Sequence, residues 1–352
     1  MSADSTGLTT VPAIRALPKA EVHVHLEGAI ELADLLEAAR EARVRLPGPA
    51  ATLFDVASHD DPPHPSPLSA FLRFLDWEGA LFSSAEQLER LAYRFAARQS
   101  ASGIVYADVI VNPAHWPSWR SDPAALFDAL GAGFDAAAAD GLCRVRTCAS
   151  ILRTWDAATA EDLVSAVVAR RPRALVGVSV DGDERVSGRT GGRFRGAFQA
   201  AGRAGLRRTA HAGESSGPEG VRDAIDLLGA ERIDHGVRAV EDPRLVDRLA
   251  DEQIAVGVCP TSNLALGLFR RLEDHPVDAL ARAGVRVTVN TDDPAALGTR
   301  LEAEWALCAA AFGWDDARIL RLARDSHLAS FATDDERASA LARLQEREEA
   351  AA

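Results

Sequence analysis

Glu21-Val22-His23-Val24-His25-Leu26-Glu27-Gly28 is the stretch on which the fold reading turns. Apolar positions alternate with His23 and His25, a period of two that fits a β-strand. Residues two apart on a strand project from the same face, so the two imidazoles point the same way. Neutral imidazole nitrogens at that spacing can share one cation. Gly28 then ends the strand and lets the chain turn tightly. The segment reads as a strand ending in a metal site. On its own it fits equally well two polar residues on a partly exposed strand, and the rest of the chain has to decide.

Working outward, a rhythm emerges. Apolar, strand-like runs recur at Ile104–Val111, Cys143–Ile151, Ala174–Asp181, Leu206–Glu214, Arg232–His235, Ile254–Cys259 and Val285–Asp292. Helical stretches separate them at Pro123–Asp140, Ala158–Arg170, Phe194–Ala204, Gly217–Leu228, Pro243–Glu252 and Pro276–Ala283. With the opening strand this gives eight strands alternating with helices. Continuous Val- and Ile-rich strands suit a parallel sheet covered on both sides. Eight such units predict an α/β fold of the (β/α)8 TIM-barrel type. The alternative is a doubly wound open sheet. That fold usually shows a Gly-rich phosphate fingerprint after its first strand, where this chain carries two histidines.

The first and second strands are about seventy residues apart, too far for an ordinary connection. Residues 29–41 have helical spacing, and residues 47–67 read as an irregular loop rich in Pro, Asp, His and Ser. Phe71, Leu72, Phe74, Leu75 and Trp77 form an apolar helical patch, and Ser84 to Ala101 reads as a helix with a Ser84/Gln87 capping box. Residues 29–100 are therefore expected to form a helical lid insertion. Residues 301–352 form a helical tail expected to pack on the outside. No linker divides the chain, so residues 1–352 are expected to form a single domain.

The chain has 352 residues, 47% hydrophobic and 26% charged, enough to fill a substantial core. A formal net charge of −13 argues against a nucleic-acid backbone or an anionic membrane as partner. Met1 to Thr10 lacks the basic and apolar regions of a secretory signal, and no apolar run is long enough to span a bilayer. Cys143, Cys148, Cys259 and Cys308 show no Cys-x-x-Cys spacing, as expected of a reduced, cytoplasmic protein. Lys19, the only lysine, precedes the expected first strand, which excludes Schiff-base, pyridoxal phosphate and Walker-type chemistry.

A barrel places its active face at the C-terminal ends of its strands. The ionisable residues collect there: His23, His25 and Glu27; Asp181, Asp183 and Glu184; His211 and Glu214; Asp234 and His235; Asp292 and Asp293. Three histidines and a carboxylate suit a catalytic divalent metal with a position left open for water. Such a site needs one group to take or orient the water's proton and another to protonate the leaving side. Glu214 and His235 sit at neighbouring strand ends for these roles. Asp292 and Asp293 diverge on a regular strand, so one can face the metal while the other turns to substrate. His59, His64, His115, His275 and His327 lack comparable context.

Together these motifs resemble the adenosine deaminase family of zinc aminohydrolases, which includes adenine and other aminopurine deaminases. The resemblance rests on residues 18–28, on Gly182-Asp183-Glu184, His211-Ala212-Gly213-Glu214 and Arg232-Ile233-Asp234-His235-Gly236, and on Cys259-Pro260-Thr261-Ser262-Asn263 and Asn290-Thr291-Asp292-Asp293-Pro294. It implies one zinc ion held by His23, His25, His211 and Asp292. It implies that Glu214 protonates the purine ring nitrogen while water attacks the amino-bearing carbon. His235 would orient that water, Asp293 would contact the imidazole-side nitrogen, and the Gly182 backbone the pyrimidine-side nitrogen. The wider superfamily's two-metal members use a strand lysine as bridging ligand, and its absence from the expected strands implies a single metal.

Glu27 departs from the aspartate that adenosine deaminases often carry, where it touches ribose. It is similar to adenine deaminase-like members, as is the Arg-Ile-Asp-His-Gly motif. The expected substrate is a small purine nucleoside or base, adenosine and deoxyadenosine first. Adenine, an aminodeoxyfutalosine or a modified nucleoside are the alternatives. A metal-dependent ester or amide hydrolase, or a barrel that binds purine without turnover, stands further back. The Trp116/Trp119 loop is either part of the substrate wall or packing. The Gly/Arg loop Ser187–Gly196 is either a plain flexible loop or a contact to a larger substrate.

Overall fold

Eight parallel strands follow one another around a barrel in chain order. They are β1 Lys19–His25, β2 Ile104–Val111, β3 Arg144–Leu152, β4 Leu175–Asp181, β5 Arg207–Ala212, β6 Arg232–His235, β7 Ala255–Val258 and β8 Val287–Val289. The computed structural model describes residues 7–55 and 67–351. Helices occupy each expected interval between strands, at Pro123–Ala139, Ala157–Arg170, Arg195–Arg203, Pro218–Asp223, Pro243–Asp251 and Val277–Arg282. The strands are buried along nearly their whole length, as their unbroken apolar runs require when helices cover the outside.

Two seams in the barrel shape the active face. Between β8 and β1 the ring closes just past the end of β8. His25 N–H donates to the Asp292 carbonyl at 2.8 Å, and Asp292 N–H donates to the His23 carbonyl at 3.2 Å. Side chains complete that closure: Asn290 Oδ1 accepts from Val22 N–H at 3.0 Å, and Glu21 accepts from the Thr291 N–H and hydroxyl. Between β4 and β5 only Gly177 with Arg207 and Val178 with Arg208 are paired. Above them the strands part, and Arg153 spans the gap by donating to the His211 carbonyl at 2.5 Å.

The insertion is helical, as expected. It holds helices Leu32–Ala42, Pro67–Gly79 and Ala85–Ala101, and the Ser84/Gln87 capping box forms. Helix Pro67–Gly79 approaches the loop after β2 so closely that a Cβ on Gly79 would lie 1.9 Å from the His115 carbonyl oxygen. His115 Nδ1 meets Asp76 of the same helix at 2.8 Å. The helix is thereby clasped over the C-terminal end of the barrel. His59, His64 and residues 56–66 of the expected loop lie outside the described residues.

Three expectations need correction. The tail does more than pack outside. It holds helices Leu301–Phe312, Asp316–Ala329 and Asp334–Ala351, and residues 326–332, the end of the second helix and the turn after it, pack against the barrel floor. Phe331 lies under the Arg232 guanidinium at 4.1 Å, Ala329 accepts from Arg232 at 3.1 Å, and Ser326 Oγ accepts from the N–H of Ala20. A desolvated guanidinium–aromatic contact of this kind contributes about 2 kcal/mol.

Lys19 does not precede β1 but begins it. Its ammonium is buried at the floor, donating to the carbonyls of Ile14 at 2.9 Å, Leu17 at 3.3 Å and Ser102 at 2.6 Å. Burial pulls its pKa down to about 8, against the opposing pull of Glu302 and Glu21. It sits at the opposite end from the histidines, so a lysine in a strand here is no metal ligand.

Gly28 does not end the strand through a special backbone angle. β1 stops at His25 and passes into a short 3-10 turn, Glu27–Ala29. Glycine is needed because Asp293 crosses directly above it: a Cβ there would lie 1.9 Å from Asp293 Oδ1 and 2.4 Å from Asp293 Cβ.

Candidate metal centre and substrate pocket

His23 and His25 leave β1 on one face, as their spacing predicts, and both are buried. His211 arrives from β5 across the parted seam. Asp292 arrives through the β8–β1 closure in a left-handed backbone conformation, φ 64°. Aspartate tolerates that region better than most residues. The four donor atoms converge. His211 Nε2 lies 3.1 Å from His23 Nε2 and 3.0 Å from His25 Nε2. Asp292 Oδ1 lies 3.2 Å from His23 Nε2 and 3.4 Å from His25 Nε2.

This donor set fits a cation. Ligand atoms about 2.0–2.1 Å from a tetrahedral zinc lie roughly 3.3–3.4 Å apart. One imidazole has a hydrogen-bond acceptor behind it, and the other two face a carboxylate. His23 Nδ1 is 2.8 Å from the Gly257 carbonyl, His211 Nδ1 is 3.5 Å from Asp234, and His25 Nδ1 is 3.8 Å from Asp181. The Gly257 carbonyl holds the far nitrogen of His23 protonated and turns its Nε2 lone pair to the other donors. Burial among the other histidines keeps His211 well below its ordinary pKa, hence neutral and able to ligate. Among the described residues a second, overlapping group of His23, His235, Cys259 and Asp292 has donor atoms equally close. Burial keeps the Cys259 thiol well above its ordinary pKa, and so protonated.

Beside the donors stand the two expected proton-handling groups. Glu214 Oε1 lies 3.4 Å from His235 Nε2, whose other neighbour is Asp292 Oδ2 at 3.8 Å. Burial, with the charges of Asp292 and Glu184, raises Glu214 to about 8. Burial also lowers His235 to about 3. At neutral pH the first is an acid with a proton to give and the second an uncharged imidazole. His235 has φ 63°, a strained setting for a non-glycine residue and a common one at active sites. Burial beside Asp292, Glu27 and Asp181 raises Asp293 well above the ordinary carboxylate range, so it can donate a hydrogen bond.

A cavity of about 200 Å³ joins these groups, walled by Phe71, Leu72 and Leu75 of the insertion and by Gly182 and Leu297 from the barrel loops. It meets a second cavity of about 1000 Å³ at Leu72, His115 and Gly182. All nine expected site residues are thus assembled at one strand-end face. Glu27 lines the pocket, but its Oε1 is already engaged by the Asn112 N–H at 2.8 Å and the Trp116 indole at 2.6 Å. Trp116 is therefore a buried support for Glu27, while Trp119 donates to the Phe82 carbonyl. In the Gly/Arg loop, Arg193 donates to the Arg153 carbonyl at 2.7 Å and Arg189 pairs with Asp223.

Residues without an assigned role in the sequence complete the site. Glu184 Oε2 accepts from three successive backbone N–H groups, those of Glu214, Ser215 and Ser216. It thereby holds the turn that presents Glu214, with Arg153 3.6 Å away. Asn263 donates to Glu214 and sits against His235. Glu184 and Asn263 both lie in quoted motifs, which was the available signal. His275, packed behind Asn263, had none.

A parallel barrel with three histidines and an aspartate converging at its strand ends, and an acid beside them, has the layout of a metal-dependent hydrolase. The sequence pattern of the adenosine deaminase family matches residues 18–347. The adenosine deaminase of Erwinia tasmaniensis is 35% identical over 331 residues, covering 93% of this chain and 98% of that protein. The adenine deaminase of Streptomyces coelicolor is 35% identical over 325 residues, covering 92% and 93%. Among solved structures, the adenine deaminase from Arthrobacter aurescens superposes with TM-score 0.87 at 27% identity, covering 95% of this chain and 100% of that one. An amidohydrolase with bound Zn from Burkholderia ambifaria gives 0.86 at 25%, covering 100% and 94%. The chain belongs to the adenosine deaminase family and is a hydrolytic aminopurine deaminase.

Proposed function

We propose that the protein deaminates adenosine and deoxyadenosine hydrolytically, with one zinc ion held by His23, His25, His211 and Asp292. The observation that carries the nucleoside reading is the meeting of the two cavities at Leu72, His115 and Gly182, which leaves room beyond the base for a sugar. The Zn in the Burkholderia ambifaria structure, together with the nitrogen-rich donor set here, favours zinc. Bound there, the metal would lower the pKa of a water molecule from about 15.7 towards 7.

The chain's own groups would do the rest. Glu214, protonated at neutral pH, gives its proton to the pyrimidine-ring nitrogen next to the amino-bearing carbon as the water oxygen bonds to that carbon. Asp293, also protonated, donates to the imidazole-side nitrogen, and the Gly182 backbone meets the other pyrimidine nitrogen. His235 orients the water. Of the water's two protons, one restores the Glu214 acid and the other passes to the amino nitrogen as its bond to carbon breaks, so that ammonia leaves and the 6-oxo purine remains. Holding the groups in place beforehand removes the reorganisation that an attack on an aromatic ring would otherwise need.

A second reading is free adenine as substrate. It is favoured by Glu27, whose Oε1 is committed to Asn112 and Trp116 rather than available to a ribose hydroxyl. Ammonia release from adenosine, deoxyadenosine, adenine and AMP in parallel, with and without a chelator, tests both. Chelator-sensitive turnover of adenosine well above adenine is the expected result. Turnover confined to adenine transfers the proposal to the second reading, and no turnover of any of the four overturns both.

A further inference from the structure

Behind His235 runs a line of hydrogen bonds that the mechanism above does not use. It begins at a backbone N–H, that of Val277, which lies 3.2 Å from His275 Nδ1. A backbone N–H can only donate, so His275 Nδ1 must accept, and the neutral ring carries its hydrogen on Nε2. Burial lowers His275 to about 4, which keeps it neutral under physiological conditions. The Phe269 ring packs against it edge-to-face at 4.9 Å.

His275 Nε2 lies 3.1 Å from Asn263 Oδ1. That N–H needs an acceptor, so the Asn263 amide is held with its oxygen towards His275 and its NH2 group towards the site. The NH2 nitrogen is 3.3 Å from Glu214 Oε1 and 3.3 Å from His235 Nδ1. His235 Nδ1 must then accept as well, which leaves the hydrogen of His235 on Nε2. Asn263 and His275 are both buried, so solvent offers no competing partner. Each orientation dictates the next, and the first has no alternative.

We propose that His275 and Asn263 are positioning residues that hold His235 as its Nε2–H tautomer, so that His235 meets the reaction centre as a hydrogen-bond donor. The catalytic part of this proposal rests on the deaminase reading above. A fixed donor aimed at the oxygen that adds to the purine carbon stabilises that oxygen as it gains charge, with no reorientation during the reaction.

The test is nitrogen NMR of the protein labelled with 15N-histidine, with the His235 signal identified by its loss in His235→Asn. Spectra of the zinc-loaded and the metal-free protein are compared for the wild type, Asn263→Asp, His275→Gln and His275→Phe. The wild type should show His235 protonated on Nε2. Asn263→Asp should move the proton to Nδ1, because a carboxylate only accepts, and should lower kcat about 10²-fold with KM changed only a few-fold. His275→Gln supplies an N–H to Asn263 and should recover the spectrum and most of the kcat that His275→Phe loses. A wild-type His235 protonated on Nδ1 overturns the proposal, and so does a His235 spectrum unchanged in Asn263→Asp. The spectra need no substrate. A protein that shows the Nε2–H signature but deaminates no purine therefore keeps the relay and overturns the proposed function instead.

Discussion

Asp292 meets His25 twice, through its backbone and through its side chain. Its carbonyl accepts the His25 N–H at 2.8 Å, and its Oδ1 lies 3.4 Å from His25 Nε2. The hydrogen bond that closes the barrel is thus the one that carries the Asp292 carboxylate to the three histidines. Asp292→Asn keeps a residue suited to φ 64° and keeps the backbone bond, while replacing the charged oxygen. Bound metal, measured by elemental analysis after dialysis, should fall well below one per chain with little change in Tm. Full metal retention would remove Asp292 from the ligand set.

The role proposed for Glu214 as an acid requires that it hold its proton. Burial raises it to about 8, so kcat should be level at neutral pH and fall as pH rises through that value. Glu214→Gln should keep the metal and lose about 10²–10⁴-fold in kcat. A pH–rate profile with no alkaline limb, or a Gln variant with unchanged turnover, would take the proton-transfer role away from Glu214.

Glu184 holds Glu214 from behind with one oxygen shared by three backbone N–H groups. Glu184→Gln offers one acceptor oxygen where two are in use, because its Oε1 also takes the Ser216 hydroxyl at 2.8 Å. The turn should loosen and displace Glu214, costing about 10²-fold in kcat, as misplacement by an ångström does. Metal content should stay at the wild-type level. Steady-state kinetics beside a metal assay separate this outcome from loss of the metal centre.

Gly28 allows Asp293 to pass. Gly28→Ala sets a methyl group 1.9 Å from Asp293 Oδ1, and part of the clash is with Asp293 Cβ at 2.4 Å, which a side-chain rotation cannot relieve. Overpacking of this kind costs about 1–3 kcal/mol. The variant should melt at a lower temperature and show a raised KM as Asp293 shifts. A wild-type Tm and KM together would show that the backbone around Asp293 yields freely.

Much of this protein was legible in the chain itself, for a local reason. Strand and helix periodicity is written over a few residues at a time, so the β/α alternation and the strand-end positions of His23, His25, His211, Glu214, His235 and Asp292 could be read before any contact was known. The boundaries drifted where pairing with a neighbour, not local pattern, sets them: β1 begins at Lys19 because it pairs from there with Ile104, and β8 stops at Val289 because the chain then bends to close on β1. Only the folded structure shows the partners that make the site work. Glu184 reaches the turn after β5 from the end of β4, and His275 reaches His235 through Asn263 from the segment just before helix Val277–Arg282. Burial shifts the pKa of Glu214 and of Asp293, and burial arises only when the insertion helix and the barrel come together. Sequence periodicity places a side chain at a strand end; the closing of the ring decides what it faces there, and so which proton it holds.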